Sequence, residues 1–419
     1  MLWLRFEVYA PLFLRLRFAG ESGIMNRKYA YCLAHREERA GDMKKVLFVA
    51  TLVKNHIAEF HLPYLKLLKE MGWETAVAAK NDYENPADCV IANCDAFFSL
   101  PFERSPLKKG NLEAYHSLKE IIRQGSYDII HCHTPVGAVA ARLAAREARK
   151  TGTKVIYTAH GFHFYKGAPW LNWLMYFPAE WLLSPLTDVL ITINREDYDR
   201  ARRHLHAKKT VYIPGVGIDT ARFRGNEEKG DALRRELGIP ESASVLLSVG
   251  DLNRNKNHRA VLEALSGMEN RNLYYVICGR GPLKEELEAL AREKGLRDRV
   301  RLMGYRNDIP AFYAMADVFV FPSFREGLSV SVMEAMASGL PVVCSRIRGN
   351  TDMVEDGVNG FLVEPGKPDT IAGALRRLND SGKRQEISRN NRIKAEAYSL
   401  GVIAEQYRRV YLEASGGVE

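Results

Sequence analysis

Two successive series of short apolar runs, each run followed by a helical pattern, constrain the fold more than any other feature of this chain. The first series places strands at 46–51, 74–79, 127–131, 154–158, 188–193 and 211–213, with a weaker one at 97–100. Helical patterns at 60–71, 112–124 and 138–149 lie between them. The second series opens near Ser244, with strands at 245–249, 273–278, 299–303, 318–321 and 342–344 and helices at 284–294 and 309–315. Strands this short and this apolar are buried on both faces, and helices between them supply the crossovers that parallel pairing demands. Each series therefore predicts a doubly wound parallel sheet. Two such units predict an α/β protein of two Rossmann-like lobes with a ligand cleft between them.

The length agrees, since 419 residues exceed what one ordinary core holds. The join is expected at Pro214-Gly215-Val216-Gly217-Ile218-Asp219, where two glycines and a proline suit a hinge. The domains are then 43–215 and 216–395, followed by a tail, 396–419, with a helical pattern at 402–414. Residues 1–42 stand apart. Apolar residues interspersed with arginine (Leu2 to Phe6, Pro11 to Phe18) precede a polar piece, 21–42. Glu7 and the arginines interrupt the apolar core that a signal peptide needs. Two readings stay open: a basic amphipathic segment on a membrane surface, and an extension outside the fold, ahead of a start at Met43 or Met25. Met43-Lys44-Lys45-Val46-Leu47-Phe48 reads as a chain opening directly on its first buried strand, so the extension is expected to be dispensable for folding.

Hydrophobic content of 46% and charged content of 26% are those of a soluble globular protein. A net charge of +9 admits anionic partners: nucleic acid, a membrane surface or a phosphorylated ligand. Nucleic acid is disfavoured, because neither zinc-finger spacing nor a long basic tract is present. The six scattered cysteines, with no Cys-x-x-Cys, read as reduced and cytosolic. No run of 18 apolar residues occurs, so no transmembrane helix is expected. Cations cluster at Arg104, Lys108 and Lys109 and at Arg200, Arg202, Arg203, Lys208 and Lys209. They predict salt-sensitive contact with an anionic membrane, at the inner face of the cell membrane; an ordinary solvated basic surface is the competing reading.

The stretch from Pro322 to Pro341 carries most of the chemistry. A strand closed by Pro322 feeds a loop, then a helix that Ser329 caps and Gly339 ends, then the next strand. Such a loop sits at the carboxyl end of a strand, where open parallel sheets bind ligands. Glu326 lies at the strand end and Glu334 on the helix. The amides of Gly327, Leu328 and Ser329 open the helix, and free amides at a helix start attract phosphate. Two carboxylates flanking a phosphate site suit a ligand rich in hydroxyl donors.

This stretch resembles the Glu-x7-Glu signature of the family-four retaining glycosyltransferases, which have the two-domain GT-B fold. The resemblance implies that Glu326 faces the donor sugar, that Glu334 holds the ribose of a nucleotide, and that the amides of Gly327 to Ser329 hold the diphosphate. It extends over about 43–414 and implies that the last helix crosses back onto the first domain. His160, in Thr158-Ala159-His160-Gly161-Phe162-His163, matches the family's histidine that reaches the donor sugar and the reacting centre. The aromatic stretch beyond it, read as an extended loop on to Trp170, Trp173 and Trp181, resembles polysaccharide-building members. In Gly250-Asp251-Leu252-Asn253-Arg254-Asn255-Lys256-Asn257, Lys256 matches the family's lysine. Asp251 stands where an arginine is usual and Asn257 where a glycine is, so Arg254 is the candidate for the missing charge. A strand end with two cations can neutralise a diphosphate leaving group. The glycine turns Cys278-Gly279-Arg280 and Met303-Gly304-Tyr305 border the nucleotide base in the family, which adds Gly279, Met303 and Gly304 to the donor side.

The first strand ends at Thr51-Leu52-Val53-Lys54-Asn55-His56, without the Gly-x-Gly-x-x-Gly of a nicotinamide enzyme and without the glycines many relatives carry there. His56, His61 and His133 are acceptor-side candidates, each competing with a packing role. His131 and His133 alternate onto one face of their strand, but a metal site needs three or four converging ligands and the sequence offers no third. No metal and no cofactor are expected.

The function these features imply is transfer of a sugar, with retention, from a nucleotide diphosphate donor, UDP-sugar first, to a glycan or polyprenyl-linked acceptor in extracellular or capsular polysaccharide synthesis. His160, Lys256 and Glu326 are the catalytic candidates. Two alternatives stand beside it: a GT-B sugar-nucleotide epimerase, and a non-catalytic partner that binds nucleotide sugar, which Asp251 favours and the intact Glu326, Glu334 and Lys256 disfavour.

Overall fold

A computed structural model describes residues 43–417; the extension 1–42 read from the sequence lies outside the described residues. The described residues hold two parallel sheets. The first contains β1 (Lys45–Leu52), β2 (Glu74–Lys80), β3 (Ala96–Ser99), β4 (Ile129–His133), β5 (Lys154–Ala159), β6 (Val189–Thr192) and β7 (Lys209–Tyr212), in the order β3-β2-β1-β4-β5-β6-β7. The second contains β8 (Ser244–Val249), β9 (Leu273–Cys278), β10 (Val300–Gly304), β11 (Val318–Phe321), β12 (Val342–Ser345) and β13 (Gly360–Val363), in the order β10-β9-β8-β11-β12-β13. Both are doubly wound. Strand order reverses between β1 and β4 in one lobe and between β8 and β11 in the other, and ligands bind outside the carboxyl ends of strands at such switch points. The strands sit where hydrophobic burial demands: every residue from Val46 to Ala50, for example, is fully buried.

Several elements depart from expectation. β4 begins two residues later than predicted, because Asp128 caps it: its carboxylate accepts the Lys45 amide at 2.7 Å and its carbonyl accepts the Lys154 amide at 2.8 Å. β13 was not foreseen. The pattern at 138–149 divides into helices Pro135–Ala144 and Arg146–Lys150. The expected aromatic loop is instead a helix over most of its length, Trp170–Leu183. Its one buried acid, Glu180, bonds Arg142 at 2.7 Å and accepts from the Tyr157 hydroxyl at 3.2 Å, which fastens the helix to its neighbour Pro135–Ala144.

The last helix, Leu400–Ala414, packs on the first lobe. Tyr407 lies 4.3 Å from Tyr64 between ring centres, and Ile403, Tyr407, Val410 and Tyr411 join the core around β1 and helix Leu62–Glu70. Each such side chain contributes roughly 1.5–3 kcal/mol of burial.

Candidate active site

The switch point of the second sheet holds the donor-side candidates. Two loops meet there, one after β8 and one after β11. Asn257 takes a left-handed conformation (φ 55°) and starts helix His258–Ser266, and its side chain donates to the Pro322 carbonyl at 3.1 Å. Asparagine is among the few residues besides glycine that accept this backbone, which accounts for Asn257 at the family's glycine position. Asn255 donates to the Arg325 carbonyl at 2.9 Å and receives the Phe324 amide at 2.8 Å. The joined loops place Lys256 Nζ 2.9 Å from Glu326 Oε1, with the ammonium 4.7 Å from the centre of the Phe321 ring. Arg254 lies exposed on the same loop and makes no ion pair among the described residues.

Helix Val330–Ser338 starts at Ser329, in extended conformation, and ends at Gly339 (φ 82°), as expected. The Ser329 hydroxyl bonds that of Ser331 at 2.9 Å and does not cap the helix, so the amides of the first turn keep their capacity for an anion. Leu328 contributes backbone here, because its side chain is buried in the second-lobe core. Glu334 is partly buried and accepts the Tyr313 hydroxyl at 2.9 Å. Burial pushes its carboxyl up to about 7, against the opposing pull of that hydrogen bond and of Arg222. Gly279 has a packing reason of its own: a Cβ there would lie 1.9 Å from the Gly250 carbonyl oxygen. Met303 and Gly304 end β10 beside it, the Gly279 amide donating to the Gly304 carbonyl at 2.8 Å.

The first sheet's switch point holds the histidines. His56 follows β1 in a π-helical turn, Val53–Ala58; His61 precedes helix Leu62–Glu70; His133 ends β4 and His160 follows β5. His61 Nε2 lies 3.2 Å from His56 Nε2, and His160 Nε2 lies 3.4 Å from His133 Nδ1. His61 and His133 are 1% and 0% exposed and sit beneath, whereas His56 is 9% exposed and His160 more so. Desolvation lowers all four pKa values, that of His160 to about 4, so the imidazoles are neutral. The structure corrects the sequence reading at this point. Third and fourth imidazoles do converge with His133, brought in by separate loops. His131, its expected companion, is occupied: its two nitrogens bond the Tyr411 hydroxyl and the Thr158 hydroxyl, each at 2.8 Å.

The two halves meet directly. A Cβ on Gly327 would lie 2.2 Å from the His160 carbonyl oxygen, so only glycine admits this approach of the lobes. Beside it Arg348, which the sequence did not single out, bonds across the cleft. Its guanidinium reaches Asp197 at 2.5 Å, the Phe162 carbonyl at 2.6 Å and the Glu326 carbonyl at 3.2 Å, and lies 4.4 Å from the centre of the Tyr165 ring. His160, Lys256, Glu326 and the Gly327–Ser329 amides are thereby gathered at one place between the lobes.

Residues 64–222 match the family described as Glycosyltransferase Family 4, and residues 230–395 match Glycosyl transferases group 1. The chain is 43% identical over 339 residues to EpsD, named as a glycosyltransferase, of Bacillus subtilis, covering 80% of this chain and 87% of that one. This chain is a family-four glycosyltransferase of the GT-B fold. The family-four chain is also 32% identical over 326 residues to an Escherichia coli enzyme, UDP-Gal:alpha-D-GlcNAc-diphosphoundecaprenol alpha-1,3-galactosyltransferase, covering 76% of this chain and 84% of that one. Among solved structures, Anabaena HepE in complex with UDP superposes with a TM-score of 0.74 at 21% identity, over 88% of this chain and all of that one. WaaG, a glycosyltransferase involved in lipopolysaccharide biosynthesis, superposes with a TM-score of 0.69 at 19% identity, over 87% of this chain and 99% of that one. Both support the GT-B fold of this glycosyltransferase.

Proposed function

We propose that this glycosyltransferase moves a sugar with retention from a UDP-sugar to a polyprenyl-linked or glycan acceptor, in extracellular or capsular polysaccharide synthesis at the inner face of the cell membrane. The observation that carries the reading is the Lys256–Glu326 pair at the second switch point, facing His160 across the Gly327 contact. In this reading the amides of Gly327, Leu328 and Ser329 hold the diphosphate, Glu334 the ribose, and Gly279, Met303 and Gly304 border the base. His160 and Glu326 position the sugar. As the sugar bond breaks, charge grows on the departing diphosphate, and Lys256 with Arg254 opposes it without needing a metal there. The departing phosphate oxygen takes the acceptor proton on the same face, which retains configuration. His56, with His61 and His133 behind it, lies on the acceptor side. The relatives support donor and acceptor class: HepE was solved with UDP and with UDP-glucose, and the Escherichia coli enzyme is named for UDP-galactose and a diphosphoundecaprenol-linked sugar.

Membrane contact has a second candidate surface beside the basic clusters, of which Arg104, Lys108, Lys109, Arg202 and Arg203 are exposed and make no ion pair among the described residues. Lys208 is paired with Asp188, Lys209 with Glu413 and Arg200 with Glu196, which engages three cations of the second cluster. The second surface, helix Trp170–Leu183, exposes Trp170, Leu171, Leu174, Met175, Trp181 and Leu182, a stripe at helical spacing. Tryptophan and leucine on an exposed face suit the headgroup boundary of a bilayer. No helix among the described residues is long and apolar enough to cross a membrane.

The test is UDP release from UDP-sugars with and without a polyprenyl-diphosphate-linked sugar, with the product anomer read by NMR. Acceptor-dependent release with retained configuration is expected. An inverted anomer overturns the mechanism. Sugar interconversion without acceptor points to the epimerase, and donor binding without turnover to a non-catalytic partner.

A further inference from the structure

We propose that His56, His61, His133 and His160 form a binding site for a divalent transition-metal ion of the zinc class, in the first lobe at the carboxyl ends of β1, β4 and β5. One ring nitrogen from each of the four lies within 4.8 Å of those of all the others. Zinc held by imidazoles at about 2.0–2.1 Å in a tetrahedron sets its ligand nitrogens roughly 3.3 Å apart. Two nitrogen pairs here are 3.2 and 3.4 Å apart.

Hydrogen bonding alone does not satisfy the cluster. A neutral imidazole has one donor and one acceptor nitrogen. Among the four rings two nitrogen–nitrogen contacts form, while His61 Nδ1 and His133 Nε2 are buried without a partner. Unpartnered buried polar atoms are costly, so two of the four rings are held in this cluster without a full set of hydrogen bonds. His131 is the built-in contrast: its ring centre is 4.2 Å from that of His133, yet both its nitrogens are bonded to hydroxyls and it stays outside the cluster.

The donor set selects the ion. Four imidazoles without a carboxylate suit zinc, cobalt, nickel or copper, whereas magnesium and calcium demand oxygen ligands. All four ligands come from the first lobe, and none is among the diphosphate-holding candidates of the second, so it is not a diphosphate-binding metal. The ion would take a ring nitrogen of His160, so occupancy and transfer compete for that residue; this consequence, unlike the site, rests on the function proposed above.

Untagged full-length protein, stripped with chelator, should be titrated with Co²⁺ as a spectroscopic probe and then with Zn²⁺. One equivalent of Co²⁺ with the intense visible bands of four-coordinate cobalt is expected, displaced by Zn²⁺. His56→Gln, at the rim of the cluster, should weaken Co²⁺ binding by about tenfold or more, at least the scale seen when even an outer-shell partner of a ligand is lost. Its melting temperature in chelator checks that it folds. His116→Gln changes an exposed histidine elsewhere and should bind as the unaltered chain does. Absence of a visible band, or equal Co²⁺ affinity in His56→Gln and the unaltered chain, overturns the proposal. So does a loss in His116→Gln that matches the loss in His56→Gln.

Discussion

Glu334 and Lys256 both belong to the proposed donor site, yet their surroundings predict different failures. Glu334 stands against Tyr313 with its carboxyl pushed up to about 7 by burial. The folded state therefore holds a proton there that the unfolded chain releases near the ordinary value, roughly 4.3. Stability from this group is present at low pH and is lost as pH rises through about 7. Nucleotide binding runs the other way, because the ionised form is the acceptor for ribose hydroxyls. Glu334→Gln should flatten both dependences between about pH 5 and 8, read by melting and by UDP titration, and should weaken UDP by roughly 1.5–3 kcal/mol at high pH. A variant that keeps the slopes would take Glu334 out of the ribose site. Lys256→Ala should instead lower the turnover rate about a hundredfold with a smaller effect on donor affinity, since the charge it opposes grows only as the bond breaks. Unchanged turnover would remove its catalytic assignment. Both residues were legible in the sequence, because each sits in a short motif whose strand, loop and helix are local. The histidine cluster was not: its four members come from three segments far apart in sequence, and alternation along β4 pointed to His131, which the last helix had already occupied through Tyr411.

Elements built from local patterns came through, unshifted at β9 and β11 and displaced by a residue or two at β4 and β10. The helix Trp170–Leu183 did not, and its composition explains why. It is apolar on the exposed side and also where Trp173, Tyr176 and Phe177 pack inward, so no polar face marks a period, and Pro178 stands inside it. Glu180 is its anchor. Glu180→Ala leaves Arg142 buried at 1% exposure without its carboxylate, which should cost about 3–5 kcal/mol in denaturant unfolding. Replacing both partners, Arg142→Met with Glu180→Leu, should recover most of it. If Glu180→Ala unfolds like the unaltered chain, the pair does not hold the helix. On the outer face, Trp170→Glu with Leu174→Glu touches exposed positions and should change stability by no more than about 0.5 kcal/mol. Sedimentation with anionic vesicles should fall sharply in that variant. Equal sedimentation would remove this helix as a membrane-contacting surface.

At the scale of the whole molecule, two lobes in one chain were legible from the two series of strands, whereas their mode of contact was not. Arg348 and Asp197 are 151 residues apart and lie in different lobes, so neither has a sequence neighbour that advertises the other. Both side chains are nearly fully buried, 4% and 0% exposed, and Arg348 also ties the Phe162 carbonyl of one lobe to the Glu326 carbonyl of the other. The same two loops carry His160 and Glu326, so this guanidinium sets the distance between the two halves of the proposed site. Removing it leaves Asp197 buried with only the Phe162 amide and the Asn194 and Arg200 side chains for partners. Truncating one member of a buried, hydrogen-bonded charge pair costs roughly 2–5 kcal/mol, and an open arrangement of the lobes avoids that cost by wetting Asp197. Arg348→Ala should therefore widen the molecule in small-angle scattering and weaken UDP-sugar binding, while the cores of both lobes, which Arg348 does not enter, persist in circular dichroism. Arg348→Lys should rescue little, because a single ammonium cannot reproduce a planar fork that bonds a carboxylate and two carbonyls at once. Unchanged scattering together with unchanged UDP-sugar affinity in Arg348→Ala would mean that the Gly327–His160 contact closes the lobes without it.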